Sequence, residues 1–421
     1  MLFFERPSGS QIASAQIIIG IVLLATTRPG SVYRKLCLPF FLATYYLALT
    51  NPPIISRSVI AGGLDALMVF VLGHLVNILV CTGVDIKLDL GGNISGQVKT
   101  LLFYPVNLRG VGTIYQIRNL ARPVPFVYCK SEDSSADCPS SLRVRYCFVV
   151  RQLALALWHY LIGDTGFFLF NHMSTKERLG YFAVNKQWIP HDPGELRTRA
   201  ATMVVFWAIL RNTLDFVHRV SSAFFVGVGQ TSVHEWPPFM GSLKDAYTLR
   251  GIWGKWHHQC LRWLLTSYSN LIARGVLGLP RPSFTERYVN IAIVFILSGL
   301  MHVHYQFRIG IHDSAAGCMA FYMSFIIGFM IEDHVQVVWR SARGSVSLTS
   351  RGVRVIERIV GYIWVFSFLT MVTPWWSYPW LRREILLNVP YSFVQQIGLQ
   401  KAFWITGIGA VILERVFDAS P

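Results

Sequence analysis

Tyr288-Val289-Asn290-Ile291-Ala292-Ile293-Val294-Phe295-Ile296-Leu297-Ser298-Gly299-Leu300-Met301-His302-Val303-His304-Tyr305-Gln306-Phe307 runs its whole length without an acidic or a basic Lys/Arg side chain. At 1.5 Å per residue a helix of this length reaches across a hydrocarbon core of about 30 Å. Only helices and closed barrels satisfy their backbone groups in hydrocarbon. The run is long and does not alternate, so it reads as a transmembrane helix. A helix places Ser298 and His302 on one face, one turn apart, with Gln306 continuing the polar stripe. Small Ser298 and Gly299 leave room beside the imidazole for a substrate, or for a neighbouring helix.

The rest of the chain repeats the pattern. Of 421 residues, 53% are hydrophobic and 14% charged, where soluble domains carry about a quarter charged residues. Further apolar runs fall at 11–27, 36–50, 59–83, 146–171, 201–229, 316–332, 358–375 and 402–415. Arg211, Asp215, His218 and Arg219 sit inside 201–229, which reads as one long helix or a broken pair. The stretch 263–279 is apolar but interrupted by Ser, Asn, Arg and Gly. The expected fold is therefore all-α: a polytopic membrane protein of about 8–10 transmembrane helices, forming a single domain over 1–421. The run beginning near Gln11 lacks a strongly basic leader and a clear small-residue cleavage site, and reads as a retained helix.

The formal net charge is +16. Lys and Arg lie between the apolar runs and not on one basic domain, which speaks for the positive-inside rule and against a nucleic-acid partner. The same charge suits anionic lipid headgroups or an anionic substrate. Basic segments 28–35, 84–145 and 333–357 all face the cytosol if 263–279 is re-entrant or interfacial; basic 172–200 then falls outside. Seven cysteines occur without a CxxC pair, which is neither a disulfide framework nor a zinc site, and no metal is expected. Cys129 and Cys138 could pair if their loop were lumenal.

Ionisable groups inside spans are costly and mark candidate sites. Asp65, His74, Arg151, His159 and Asp164 qualify. Arg211 and Asp215 stand four apart, so they can pair and fasten helices. A second constellation runs from Trp236-Pro237-Pro238-Phe239-Met240-Gly241-Ser242 through Asp245-Ala246-Tyr247-Thr248-Leu249-Arg250 to Trp253-Gly254-Lys255-Trp256-His257-His258-Gln259. The double proline stops a helix at the membrane surface. On a following helix Lys255, His258, Gln259 and Arg262 would share a polar face, which also describes an interfacial amphipathic helix.

Together these segments resemble the membrane-bound O-acyltransferase superfamily, in particular its wax-synthase-like branch, which includes fungal acetyltransferases of terpenoid and meroterpenoid pathways. Three segments carry the likeness: Arg109-Gly110-Val111-Gly112-Thr113 with Gln116-Ile117-Arg118-Asn119, the Trp236–Gln259 block, and Ser298-Gly299-Leu300-Met301-His302. Glu332-Asp333 adds to it, and the likeness covers about 100–335. The branch places Trp directly before its His-Gln pair, whereas this chain has His257 there, with Trp256 one residue earlier.

The resemblance implies acyl transfer from an acyl-CoA, acetyl-CoA foremost, to a hydroxyl of a hydrophobic terpenoid or meroterpenoid alcohol, with membrane lipids as surroundings and the endoplasmic reticulum as residence. It implies His302 as general base and His258 as its catalytic partner, with His257 the rival. Lys255, Arg250, Arg262 and Trp253 are the candidates to hold coenzyme A, with Arg109 and Arg118 behind them. Ser298, His257 and Gln259 would contact substrate. Three other readings stay open: a long-chain wax or sterol ester synthase, a non-catalytic membrane scaffold whose histidines would be replaceable, and a membrane transporter with His302, His74, Arg151 and Asp164 along a polar pathway. The transporter predicts paired internal repeats, and the sequence shows none.

Overall fold

The computed structural model describes residues 9–50, 59–85, 101, 104–120, 142–343, 351–383 and 391–417. In chain order the helices are α1 (Gly9–Thr26), α2 (Val32–Thr50), α3 (Val59–Val76), α4 (Leu142–Asn171), α5 (Thr175–Tyr181), α6 (Pro193–Gly227), α7 (Arg262–Asn270), α8 (Phe284–Arg308), α9 (Ala315–Arg343), α10 (Arg351–Leu381), α11 (Phe393–Ile397) and α12 (Leu399–Phe417). The described residues contain no strand. Among the described residues, five helices are long and apolar enough to cross a membrane: α4, α6, α8, α9 and α10; shorter apolar helices lie at Gln11–Thr26, Leu67–Cys81 and Leu399–Leu413. The run at 201–229 proves to be one unbroken helix, α6, which starts earlier, at Pro193. Cys129, Cys138 and Asp65's side chain lie outside the described residues.

Helix starts follow their local chemistry. Asp192 accepts from the Glu195 N–H ahead of Pro193, and Ser283 accepts from the Glu286 N–H ahead of α8. Each satisfies a backbone donor that the first turn leaves over. Ser174 and Glu177 form a reciprocal capping box on α5.

The chain forms two compact units, Met1–Ile117 with Cys260–Ile327, and Arg118–Gln259 with Gly328–Pro421. In the first, α3 and α7 meet through aromatic and polar contacts. Trp263 stacks on Tyr115 at 5.3 Å and donates Nε1–H to Thr82 Oγ1 at 3.2 Å, while Tyr268 donates to the Gly73 carbonyl at 2.8 Å. Arg34 is fully buried; it donates to Val84 O (2.8 Å) and Thr27 O (2.6 Å), joining the α1–α2 turn to the segment that follows α3. Gly110, at φ +60°, lets the Arg109–Thr113 loop close on Tyr115 O, which a Cβ there would approach to 2.7 Å.

In the second unit α4 and α6 lie close. A Cβ on Gly166 would come within 2.5 Å of Ile209 Cγ1, the small-residue approach expected of packed membrane helices. Their seam is polar. His159 is fully buried, with Nε2 3.0 Å from Asp215 Oδ2 and Nδ1 2.6 Å from Asn212 Oδ1. Asp164 accepts the Val394 N–H at 3.0 Å, fastening α11 to α4. The expected Arg211–Asp215 pair does not form. Asp215 turns instead to Arg219 (3.4 Å) on its own helix and to His159 of α4 (3.0 Å).

Candidate functional site

In the first unit, α8 carries His302 on a half-buried face. Its ring stacks on Tyr322 of α9, with centroids 4.9 Å apart and planes inclined by 17°. Ser298, one turn earlier and buried, hydrogen-bonds with the same Tyr322 phenol. Gly299 makes the stacking possible: a Cβ there would sit 2.8 Å from Met319 Sδ and 3.4 Å from Tyr322 Cβ. The stripe read from sequence is therefore real but divided in use. Ser298 and His302 share Tyr322, while Gln306, fully buried, accepts from Ser314 Oγ at 2.8 Å and pins the α8–α9 turn. Tyr322 lies far along the chain from His302, and no spacing rule points to it. Arg262 opens α7 in this unit.

In the second unit, the Trp236–Gln259 segment is built from tight turns. Pro237 and Pro238 hold it open, and Phe239 stacks under His258 at 5.6 Å and 28°. His258 is half-buried, with its ring 4.2 Å from that of His257. His257 is buried among indoles: Trp253 at 5.0 Å, Trp207 of α6 at 5.7 Å and Trp256 at 6.0 Å. Phe239 also meets His218 of α6 at 5.0 Å.

One expectation fails here. Lys255, His258, Gln259 and Arg262 do not share a helix face. The chain makes one helical turn at Leu249–Gly251 and a wide π turn at Ile252–Trp256, and then His257 adopts extended backbone (φ −69°, ψ 153°). Four bonds hold this break: His257 N–H to Ile252 O (2.7 Å), Gly241 N–H to Trp256 O (2.8 Å), and Gln259 Nε2 to both Trp253 O (2.9 Å) and His257 O (2.6 Å). Gln259, read from sequence as a substrate contact, spends its amide on the backbone turn that presents His258.

The cations of the block are also engaged. Arg250 forks onto Asp333 of α9, with Nε to Oδ1 at 3.1 Å and Nη2 to Oδ2 at 2.7 Å, and lies over the Phe329 ring. Lys255 is exposed and pairs with Asp245 at 3.3 Å. Glu332 accepts the N–H groups of Leu249 and Arg250 and the Trp364 indole N–H. Adjacent Glu332 and Asp333 thus grip the one-turn helix that leads into Trp253–His258. Sequence reading noticed this acidic pair but had no way to give it a partner.

Helices long and apolar enough to cross a membrane describe a multi-pass integral membrane protein. The profile of the "Membrane bound O-acyl transferase family" matches residues 236–325, a span containing His258 and His302. The chain belongs to the membrane bound O-acyl transferase family and is an acyl-transferring enzyme. It is 44% identical to acetyltransferase nanB of Aspergillus nanangensis over 99% of its length and all of that protein. It is 42% identical to acetyltransferase cdmC of Talaromyces verruculosus over the full length of both, and 32% identical to acetyltransferase spyB of Aspergillus fumigatus over 96% of this chain and 69% of that one. No solved structure matches the chain.

Proposed function

We propose that this protein is an O-acetyltransferase that moves the acetyl group of acetyl-CoA to a hydroxyl of a lipophilic terpenoid or meroterpenoid, in the endoplasmic reticulum membrane. The observation that carries the reading is the acetyltransferase name of relatives alike over the whole chain, combined with a half-buried imidazole on α8.

The chemistry follows from the side chains. Neutral His302 takes the proton of the acceptor hydroxyl as its oxygen attacks the thioester carbonyl carbon. The tetrahedral oxyanion then collapses with cleavage of the C–S bond, and the proton passes from the imidazolium to the departing thiolate, giving the ester and free coenzyme A. Stacking on Tyr322 restrains rotation of the ring, and a held orientation makes a general base more effective. His258, or a nearby backbone N–H, donates to the oxyanion. His258 is preferred over His257 because it is the less enclosed of the two. His257 is packed as a core residue between tryptophans. Transfer is direct, with no acyl-enzyme.

The test is product formation. Microsomes containing the full chain are given labelled acetyl-CoA and a panel of hydroxylated terpenoids, sterols and fatty alcohols. An acetyl ester of a terpenoid is the expected product. Transfer only from long-chain acyl-CoA would replace this reading with an ester synthase. A His302→Ala protein that inserts normally and keeps full turnover would remove the base.

A further inference from the structure

We propose that Arg211, with Arg151 and Arg219, forms an oxyanion-binding subsite on the α4–α6 seam that takes a phosphate of the coenzyme A donor; the donor's identity rests on the acetyltransferase reading. Arg211 and Arg219 flank the Asp215 carboxylate, and Arg151 lies near Arg219. Arg219 is held by Gln152 Oε1 (3.0 Å) and Asp215 Oδ2 (3.4 Å). Arg151, the residue before Gln152 on α4, lies within electrostatic reach of Arg219, and Arg211 within reach of Asp215 and Arg219. Asp215 is shared by Arg219 and His159. Neither Arg151 nor Arg211 has an ion pair among the described residues, and the buried Nε of each lacks a hydrogen-bond acceptor there.

An excess of half-buried guanidinium in a membrane helix pair is unfavourable unless an anion completes it. Guanidinium forks suit phosphate oxygens in particular. The position on α6 supplies the second argument. Trp207 lies one turn before Arg211 and His218 about two turns after it, so all three share a face. Trp207 packs on Trp253, Trp256 and His257, and His218 packs on Trp236 and Phe239. Arg211 therefore stands on the α6 face turned to the segment that presents His258. Arg250 and Lys255, the cations sequence reading favoured for the donor, already have carboxylate partners.

The test reads binding apart from turnover. Thermal unfolding of the purified full chain in detergent is followed with adenosine 3′,5′-bisphosphate, the phosphate-bearing end of coenzyme A, and with glycerol 3-phosphate, a lipid-headgroup mimic. A ligand that binds only the folded protein raises the transition temperature. The bisphosphate should stabilise the wild type, and the shift should vanish in Arg211→Gln and Arg151→Gln and shrink in Arg211→Lys, which keeps charge but loses the fork. In turnover, the KM for acetyl-CoA should rise by about tenfold in the Gln variants, the loss of one good charge-assisted pair. It should not rise for acetyl-pantetheine, which lacks these phosphates. No bisphosphate shift in the wild type, or an undiminished shift in both Gln variants, overturns the subsite. An equal shift with glycerol 3-phosphate overturns the assignment to the donor. A wild type that transfers acetyl from neither donor sinks the acetyltransferase reading, and the unfolding measurements then judge the subsite alone.

Discussion

His302 and His257 show how differently two imidazoles of one chain are surrounded. The first lies half-buried and flat on a tyrosine; the second is enclosed by three indoles. Removing a positioned general base costs roughly 10²–10⁴-fold in rate. His302→Ala should therefore lower kcat by that order with little change in thermal stability, measured as turnover against the unfolding transition of the same preparation. His257→Ala should do the reverse: it leaves a cavity between Trp207, Trp253 and Trp256 and should cost about 2–4 kcal/mol of stability, as other large-to-small core changes do. His258→Ala should resemble His302→Ala. If His257→Ala keeps its stability and His258→Ala keeps its rate, the two roles must be exchanged. Helical spacing let the sequence place Ser298 and His302 on one face of α8, where both meet Tyr322. It could not show Tyr322, which α9 delivers, nor choose between adjacent histidines, whose difference lies wholly in what packs around them.

At the scale of elements, the turn from Gly241 to Gln259 is the part least legible in sequence and most constrained in space. The long helix α6 ends at Gly227, well ahead of the proline pair, and only the 3-10 turn Val233–Glu235 stops at it. The π turn and the extended His257 depend on partners far along the chain, so a helical reading through 255–262 was the default that local pattern allowed. Glycines give the closest fit: a Cβ on Gly241 would lie 2.1 Å from Lys255 O, and one on Gly251 1.9 Å from Asp245 O. Backbone cannot move aside as a side chain can, so Gly241→Ala and Gly251→Ala should lower the yield of folded, inserted protein. Glu332 is a positioning residue by the same logic. Truncation to Ala leaves buried N–H groups of Leu249 and Arg250 without their acceptor, at roughly 1–3 kcal/mol for each lost partner. Glu332→Ala should thus lower the transition temperature and kcat together. Glu332→Gln, which keeps one acceptor oxygen, should recover part of both. Equal stability of the Ala variant and the wild type would show that α9 does not hold this turn.

For the whole molecule, composition alone announces a membrane protein, and what it leaves open is which way the chain runs. The orientation hinges on the segment after the Trp236–Gln259 block. α7 is nine residues long and its following π turn six, so at 1.5 Å per residue the pair reaches about 22 Å, short of the roughly 30 Å of hydrocarbon. Its first turn is tied by Trp263 to Thr82, in the segment following α3 that also meets the α1–α2 turn through Arg34 and Val84. A segment that starts at that face and is too short to cross should return to it. The basic turn at 28–35 then shares a side with Arg281, between α7 and α8, and the positive-inside rule places that side in the cytosol. The check uses a variant lacking the seven native cysteines, with single cysteines put back as Lys35→Cys or Arg281→Cys, in sealed microsomes treated with a membrane-impermeant maleimide. Both should label from outside the vesicles without detergent. If Lys35→Cys labels at once and Arg281→Cys only after permeabilisation, α7 with its π turn crosses, and every helix after it runs opposite to the direction argued from charge.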